Sequence, residues 1–401
     1  MKRRLILKLA GAMLAGSVAF SGAALAADVI KFGAVAPKTG PLAGGAVVTH
    51  WPNIKLWAAQ INARGGLKLK DGQKKIEIIE YDDQTNPGET IKAVQRLVTQ
   101  DKVDFLIGPY GTGFNLAVAP VFAKYGYPLI AMTAITDQIP DLAKKFPGMF
   151  FTLGSTTPIV QGVADILAKL VADGKIGNKV AMVNVADAFG IELANAARPI
   201  FKAAGLDVVY DKSYPLGTQD LSPIVKGAKA ASPDAFIAWS YPPDTFGLTG
   251  QAMVQGLDVK VFYTAVATSF PAYGGKFGSA ANNVMGTGGV NPDDPAIKAY
   301  MKAHKEITGL DADFWASSSV YSSLQILEQA IEGVGEVDRA KVTEYIKNNS
   351  FKTILGDITF DENNNNVNFW TVGQWQDGVY QGVKAVGRDG AKEVRLKSGW
   401  K

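Results

Sequence analysis

Where residue types and spacing in this chain could do chemistry, they favour gripping a small molecule. After the apolar run Val103 to Ile107 the sequence reads Gly108-Pro109-Tyr110-Gly111-Thr112-Gly113 and then enters a helical pattern. Glycines let backbone amides come close to a ligand, and a helix start offers unpaired N–H groups and a partial positive charge. Such a turn holds a carboxylate without any lysine, which makes Tyr110, Thr112 and Gly113 candidate ligand contacts. The spacing is not GxGxxG, because position 116 is Leu. A tight strand-to-helix turn with no ligand is the alternative.

Catalytic constellations are sparse. There are two histidines: His50 in an early loop near Trp51, and His304, which shares a helical face with Ile297, Tyr300 and Met301 and reads as a packed side chain. No HExxH or Cys/His pair suggests zinc, no GxSxG marks a nucleophile elbow, and no GK[ST] marks a phosphate loop. A Ser–His–Asp triad would have to use one of these two histidines. We therefore expect no enzyme, no metal and no cofactor.

The elements that must position the turn follow a strand–helix rhythm. Val29 to Ala36 reads as a strand, Ile54 to Ala63 as a helix and Ile76 to Tyr81 as a strand. Asn86, Pro87 and Glu89 give an N-cap, a first-turn proline and a capping-box acid. Helix Leu116 to Tyr125 leads to strand Pro128 to Met132. Past Phe151 the rhythm resumes, with strands at Lys179 to Asn184, Leu206 to Tyr210, Ala235 to Trp239 and Val259 to Thr264. Strands alternating with helices imply parallel sheets covered on both faces, here an α/β fold of two doubly wound, Rossmann-like lobes. The last third breaks the rhythm with helices at Asp294 to Glu306, Ala316 to Glu332 and Arg339 to Asn348. Ile358 to Phe360 and Phe369 to Trp375 read as strands around a solvated Asn-rich turn, Asn363 to Asn366, with a cation site as the alternative.

Lys2, Arg3, Arg4 and Lys8, the apolar stretch Leu9 to Phe20, and Ala24-Leu25-Ala26 make an export leader cleaved after about Ala26. The apolar stretch is too short to span ~30 Å of hydrocarbon. Arg3-Arg4 also fits a twin-arginine export signal, with ordinary unfolded export as the other route. Of the 401 residues, 375 follow the leader, enough for two domains. The leader carries four of the 41 basic residues, so the remainder balances 37 basic against 37 acidic side chains. No basic stripe points to nucleic acid. With no cysteine there is no disulfide, so a large core must carry stability in an oxidising compartment.

Several fragments in order resemble the leucine/isoleucine/valine-type periplasmic binding proteins of ABC transporters. They are Ile30-Lys31-Phe32-Gly33-Ala34 with Thr39-Gly40-Pro41-Leu42, Ile61-Asn62-Ala63-Arg64-Gly65-Gly66, Glu80-Tyr81-Asp82-Asp83, Ile107-Gly108, Phe189-Gly190, and Leu355-Gly356-Asp357-Ile358-Thr359-Phe360-Asp361. The resemblance implies the type I periplasmic binding protein fold, with two lobes joined by three crossing strands near Phe151, Met285 and Asn368. It implies an N-terminal lobe of 27–151 plus 286–368 and a C-terminal lobe of 152–285 plus 369–401. It also implies a monomer in the periplasm, membrane permease subunits as partners, and an amino acid or related small carboxylate as ligand. Carried over residue by residue, the hydroxyl that meets the ligand carboxylate falls on Thr112 beside Gly113. Contacts after the fourth strand fall on Thr133 and Ala134, with Ile135 or Thr136 as further positions. The cleft aromatic falls on Phe189, where a Tyr is usual, and a second-lobe aromatic on Tyr241.

One departure bears on the ligand. Amino-acid binders of this type place an acid after the strand equivalent to Val259–Thr264, whereas this chain reads Ala265-Val266-Ala267-Thr268. A buried ammonium without a counter-charge is costly. Either Asp187 or Asp244 takes that role, or the ligand has no ammonium, and Phe189, Tyr241, Tyr110 and Trp51 suit an apolar or aromatic carboxylate. A ligand sensor for a receptor and an amide hydrolase on the same fold are the competing readings.

Overall fold

The computed structural model describes residues 29–400, and the expected leader and its cleavage point lie outside the described residues. Strand Ile30–Ala36 is central to the first lobe. It pairs in parallel with Ile76–Asp82 on one side and Phe105–Ile107 on the other. Leu129–Ala131 and Met149–Phe151 form a further parallel pair beyond it. All but one residue of the central strand is buried, as a parallel strand covered on both faces requires. Phe32 and Ala34 face a core made with helices Trp51–Ala63 and Ala316–Val334, where Trp57 meets Phe32 edge-on at 5.0 Å. Val35 faces the opposite core, made with helices Pro87–Thr99 and Thr112–Lys124. Asn86 caps the first of these through the Gly88 and Glu89 amides. The expected capping-box acid does not reach back: Glu89 pairs instead with Lys92 at 2.8 Å.

The second lobe is built on a seven-stranded sheet. Across it the order is Val379–Val386, Phe369–Gln376, Met285–Thr287, Val261–Thr264, Ala235–Trp239, Lys179–Val185 and Asp207–Tyr214. The last five are mutually parallel, and the first two add an antiparallel edge. After Met285–Thr287 the chain returns to the first lobe, where helices Pro295–Thr308 and Ala316–Val334 pack on Trp51–Ala63. This return is why the strand–helix rhythm fails in the last third.

Three further expectations need correction. Ile358–Phe360 and Phe369–Trp375 do not flank one hairpin. Phe351–Thr353 pairs with Gly356–Ile358, while Phe369–Gln376 pairs with Val379–Val386 in the other lobe. The Asn-rich stretch is a crossing segment and is not solvated: Asn364 and Asn366 are buried and donate to the Pro147 and Thr152 carbonyls at 2.9 and 3.0 Å. Amides rather than apolar groups fill it because the backbone there has left its sheet and needs partners. His50, read as a loop residue, sits at a junction between two helices, Ala43–Thr49 and Trp51–Ala63. The two glycines at 44 and 45 hid the first of them. Among the described residues no cluster of His, Cys, Asp or Glu could hold a metal ion, and no helix is long and apolar enough to cross a membrane.

Candidate functional site

The turn after Phe105–Ile107 is fastened from below. Gly111 adopts φ 96°, a conformation that costs glycine little. Its amide donates to Thr133 Oγ1 at 2.9 Å, and that hydroxyl donates to the Pro109 carbonyl at 3.0 Å. Thr112 Oγ1 accepts from the Ile135 amide at 3.1 Å and donates to the Ile135 carbonyl at 3.3 Å. Asn115 Nδ2 donates to the Pro109 and Gly111 carbonyls. Thr112 and Thr133 thus tie two strand-end loops together. The long Thr112 bond leaves a proton that can turn to a guest, whereas both Thr133 bonds are short. Ala134 is fully buried in the core of its own lobe, so only its backbone can serve a ligand.

The remaining candidates meet across the lobes. Phe189 and Tyr241 are buried and pack ring on ring, centroids 4.9 Å apart. A side chain built on Gly111 would place its Cβ 3.6 Å from the Tyr241 hydroxyl, and one on Gly113 would sit 3.6 Å from Ala188 Cβ. Helix Thr112–Lys124 of one lobe and helix Ala188–Ala203 of the other therefore bring their N-termini together. Asp187 already caps the second of these, while the start of Thr112–Lys124 has no side-chain cap and leaves its partial positive charge to favour an anion there. Tyr110 closes one side, its hydroxyl lodged against Gly45, where a Cβ would fall 2.1 Å away. Leu42, Ala46, Tyr110, Phe189, Tyr241 and Trp315 belong to one apolar cluster spanning both lobes.

The two acids near this wall are already engaged. Asp244 accepts from the Tyr241 amide at 2.9 Å and the Tyr214 hydroxyl at 2.8 Å. Asp187 caps its helix through the Gly190 amide at 2.9 Å and lies close enough to the Tyr241 hydroxyl to be stabilised by it. Burial, with a smaller push from Asp244, raises the Asp187 carboxyl to about 6, against the pull of those donors. A raised native value means that Asp187 contributes stability below the ordinary carboxylate range and loses it as pH rises through about 6. Asp187→Asn keeps a capping oxygen. It is expected to raise the unfolding midpoint at pH 7, with the gain vanishing below about pH 4, in melts across pH.

A second set of contacts escaped the sequence reading. Glu192, on helix Ala188–Ala203, accepts from Thr136 Oγ1 at 2.9 Å, from the Asp137 amide, and from Thr156 Oγ1 at 3.3 Å. Asp137 in turn accepts from the Thr157 amide at 2.9 Å and its hydroxyl at 2.6 Å. These bonds clamp the loop after Leu129–Ala131 to the second lobe. No local pattern announces them, because the partners lie 20 to 56 residues apart. Glu192→Ala should favour separated lobes, seen as a larger radius in small-angle scattering, and weaken ligand binding about tenfold with little change in unfolding midpoint.

This architecture, two doubly wound α/β lobes meeting at apposed helix N-termini, is that of the type I periplasmic binding proteins. The chain belongs to the family described as Periplasmic binding protein, which matches residues 29–379. It is 27% identical to the Leu/Ile/Val-binding protein homolog 7 of Brucella suis, over 96% of this chain and 98% of that one. Among solved structures it resembles the LivJ branched-chain amino acid transporter substrate-binding protein of Streptococcus pneumoniae in complex with isoleucine (TM-score 0.77, 21% identity, 89% and 99% of the two chains). It also resembles an ABC-transporter solute-binding protein of Rhodopseudomonas palustris in complex with 3,4-dihydroxybenzoic acid (TM-score 0.75, 25% identity, 92% and 98%). The family and these neighbours are solute-binding proteins.

Proposed function

We propose that this protein captures a small aromatic carboxylate between its lobes and hands it to the membrane subunits of an ABC transporter. One observation carries the choice of ligand: neither acid at the cleft wall is free for an ammonium. Asp244 and Asp187 are spent on Tyr241, Tyr214 and Gly190, and Ala265 to Thr268 supplies no replacement. The uncapped N-terminus of Thr112–Lys124 with a Phe189–Tyr241 wall suits a carboxylate on a flat apolar body. The R. palustris neighbour with 3,4-dihydroxybenzoic acid supports the same class. A branched-chain amino acid is the second reading, favoured by the Brucella relative, and would require Asp187 as its counter-charge.

The lobes we assign are 27–151 with 286–368, and 152–285 with 369–401. They close by hinge motion about the three crossings. The working protein is a periplasmic monomer with no catalytic role, and its contacts are Tyr110, Thr112, Gly113, Thr133, Ala134, Phe189 and Tyr241. A thermal-shift panel of amino acids, aromatic acids, amides and sugars tests the reading. At ~100 times its dissociation constant a ligand adds roughly 2.7 kcal/mol of stability. Shifts with benzoates and none with leucine, isoleucine or valine are expected; the reverse pattern overturns the reading.

A further inference from the structure

His50 is fully buried, and neither ring nitrogen has a hydrogen-bond partner in the protein. Buried polar atoms are almost always paired, and leaving one unpaired costs about 1–3 kcal/mol. The other histidine keeps one ring nitrogen paired, His304 Nδ1 with the Leu310 carbonyl at 2.9 Å, and only its Nε2 is unpartnered, whereas in His50 both nitrogens are. His50 follows Leu42 and Ala46 at four-residue steps, and its amide bonds the Ala46 carbonyl at 2.9 Å, so the three share one helical face. Leu42 and Ala46 on that face pack into the cluster shared by Tyr110, Phe189 and Tyr241. The same short helix touches helix Pro242–Gln255 of the opposite lobe, which Tyr241 caps. The orphan imidazole therefore follows one turn after two members of that inter-lobe cluster, with Trp51 edge-on against it at 5.6 Å.

We infer that His50 reads an uncharged hydrogen-bonding substituent, a ring hydroxyl, on the aromatic carboxylate, and so sets the preference for hydroxylated over plain aromatic acids. This rests on the function proposed above. Burial drives the imidazole down to about 3, so it stays neutral at every working pH and offers one donor and one acceptor. A neutral ring in apolar surroundings is a poor partner for the carboxylate end, which the uncapped N-terminus of Thr112–Lys124 already suits. A phenolic hydroxyl both donates and accepts, so it pairs with either tautomer.

Calorimetric titration of the wild type, His50→Leu and His50→Asn with benzoate, 4-hydroxybenzoate and 3,4-dihydroxybenzoate tests this. The expected result is a wild-type preference of at least about tenfold for a hydroxylated acid. That gap should close in His50→Leu with benzoate affinity unchanged, and partly persist in His50→Asn, which keeps a donor and an acceptor. His50→Leu should also leave the ligand-free unfolding midpoint undiminished, since it removes two unpaired atoms. If the gap persists in His50→Leu, or all three acids weaken equally, the assignment to His50 is wrong while the aromatic-acid reading stands. If the wild type binds none of the three, the aromatic-acid reading itself fails and takes this inference with it.

Discussion

Asp313→Ala is expected to lower the unfolding free energy by about 3–5 kcal/mol. The carboxylate is fully buried and accepts from the Trp315, Ala316 and Ser317 amides, each at 2.8 Å. It also takes the hydroxyls of Ser317 and of Ser269, the latter at 3.2 Å from the second lobe. Those amides open helix Ala316–Val334, so the acid answers the unpaired donors and dipole of a long helix start. Alanine strands several donors at once in a site too enclosed for bulk water. Denaturant unfolding checks the loss, and Asp313→Asn, which keeps an acceptor oxygen, should lose clearly less. Equal stability of wild type and Asp313→Ala would mean the network contributes little.

Thr112→Val is expected to weaken carboxylate binding by roughly 1–3 kcal/mol, about five- to 150-fold. Two losses combine. The Ile135 amide forfeits its 3.1 Å acceptor, which loosens the loop that backs the helix start. The hydroxyl proton held by the long bond to the Ile135 carbonyl is no longer available to a guest. Valine keeps the volume, so the fold should survive and the change should appear in titrated affinity. Thr112→Ser, which restores the hydroxyl, should recover most of it. Unchanged affinity in Thr112→Val would remove Thr112 from the site.

Much of this was legible in the residues because it is local. Alternating apolar strands and helical stretches announce buried parallel sheets, and Gly111 announces the start of a helix. Phe189 and Tyr241 were placed by resemblance, and the structure packs them together. What stayed hidden was set by contacts distant in sequence. Glu192 looks like any helix-surface acid until the loop at Thr136 and Asp137 folds over it. Asp313 gives no hint that Ser269, 44 residues earlier, will bond it. The Asn363 to Asn366 stretch reads as a polar turn because composition cannot tell solvated amides from amides that satisfy a buried crossing backbone. His50 was unremarkable for the same reason: its missing partners are a property of the packed chain alone.

The most direct measurement is a crystal structure of the protein grown with 3,4-dihydroxybenzoate. The carboxylate should lie about 3 Å from the amide nitrogens of Thr112 and Gly113, with the ring against Phe189 and Tyr241. An acid seated anywhere outside the inter-lobe cleft, or a cleft that takes only isoleucine with its ammonium on Asp187, would contradict the account.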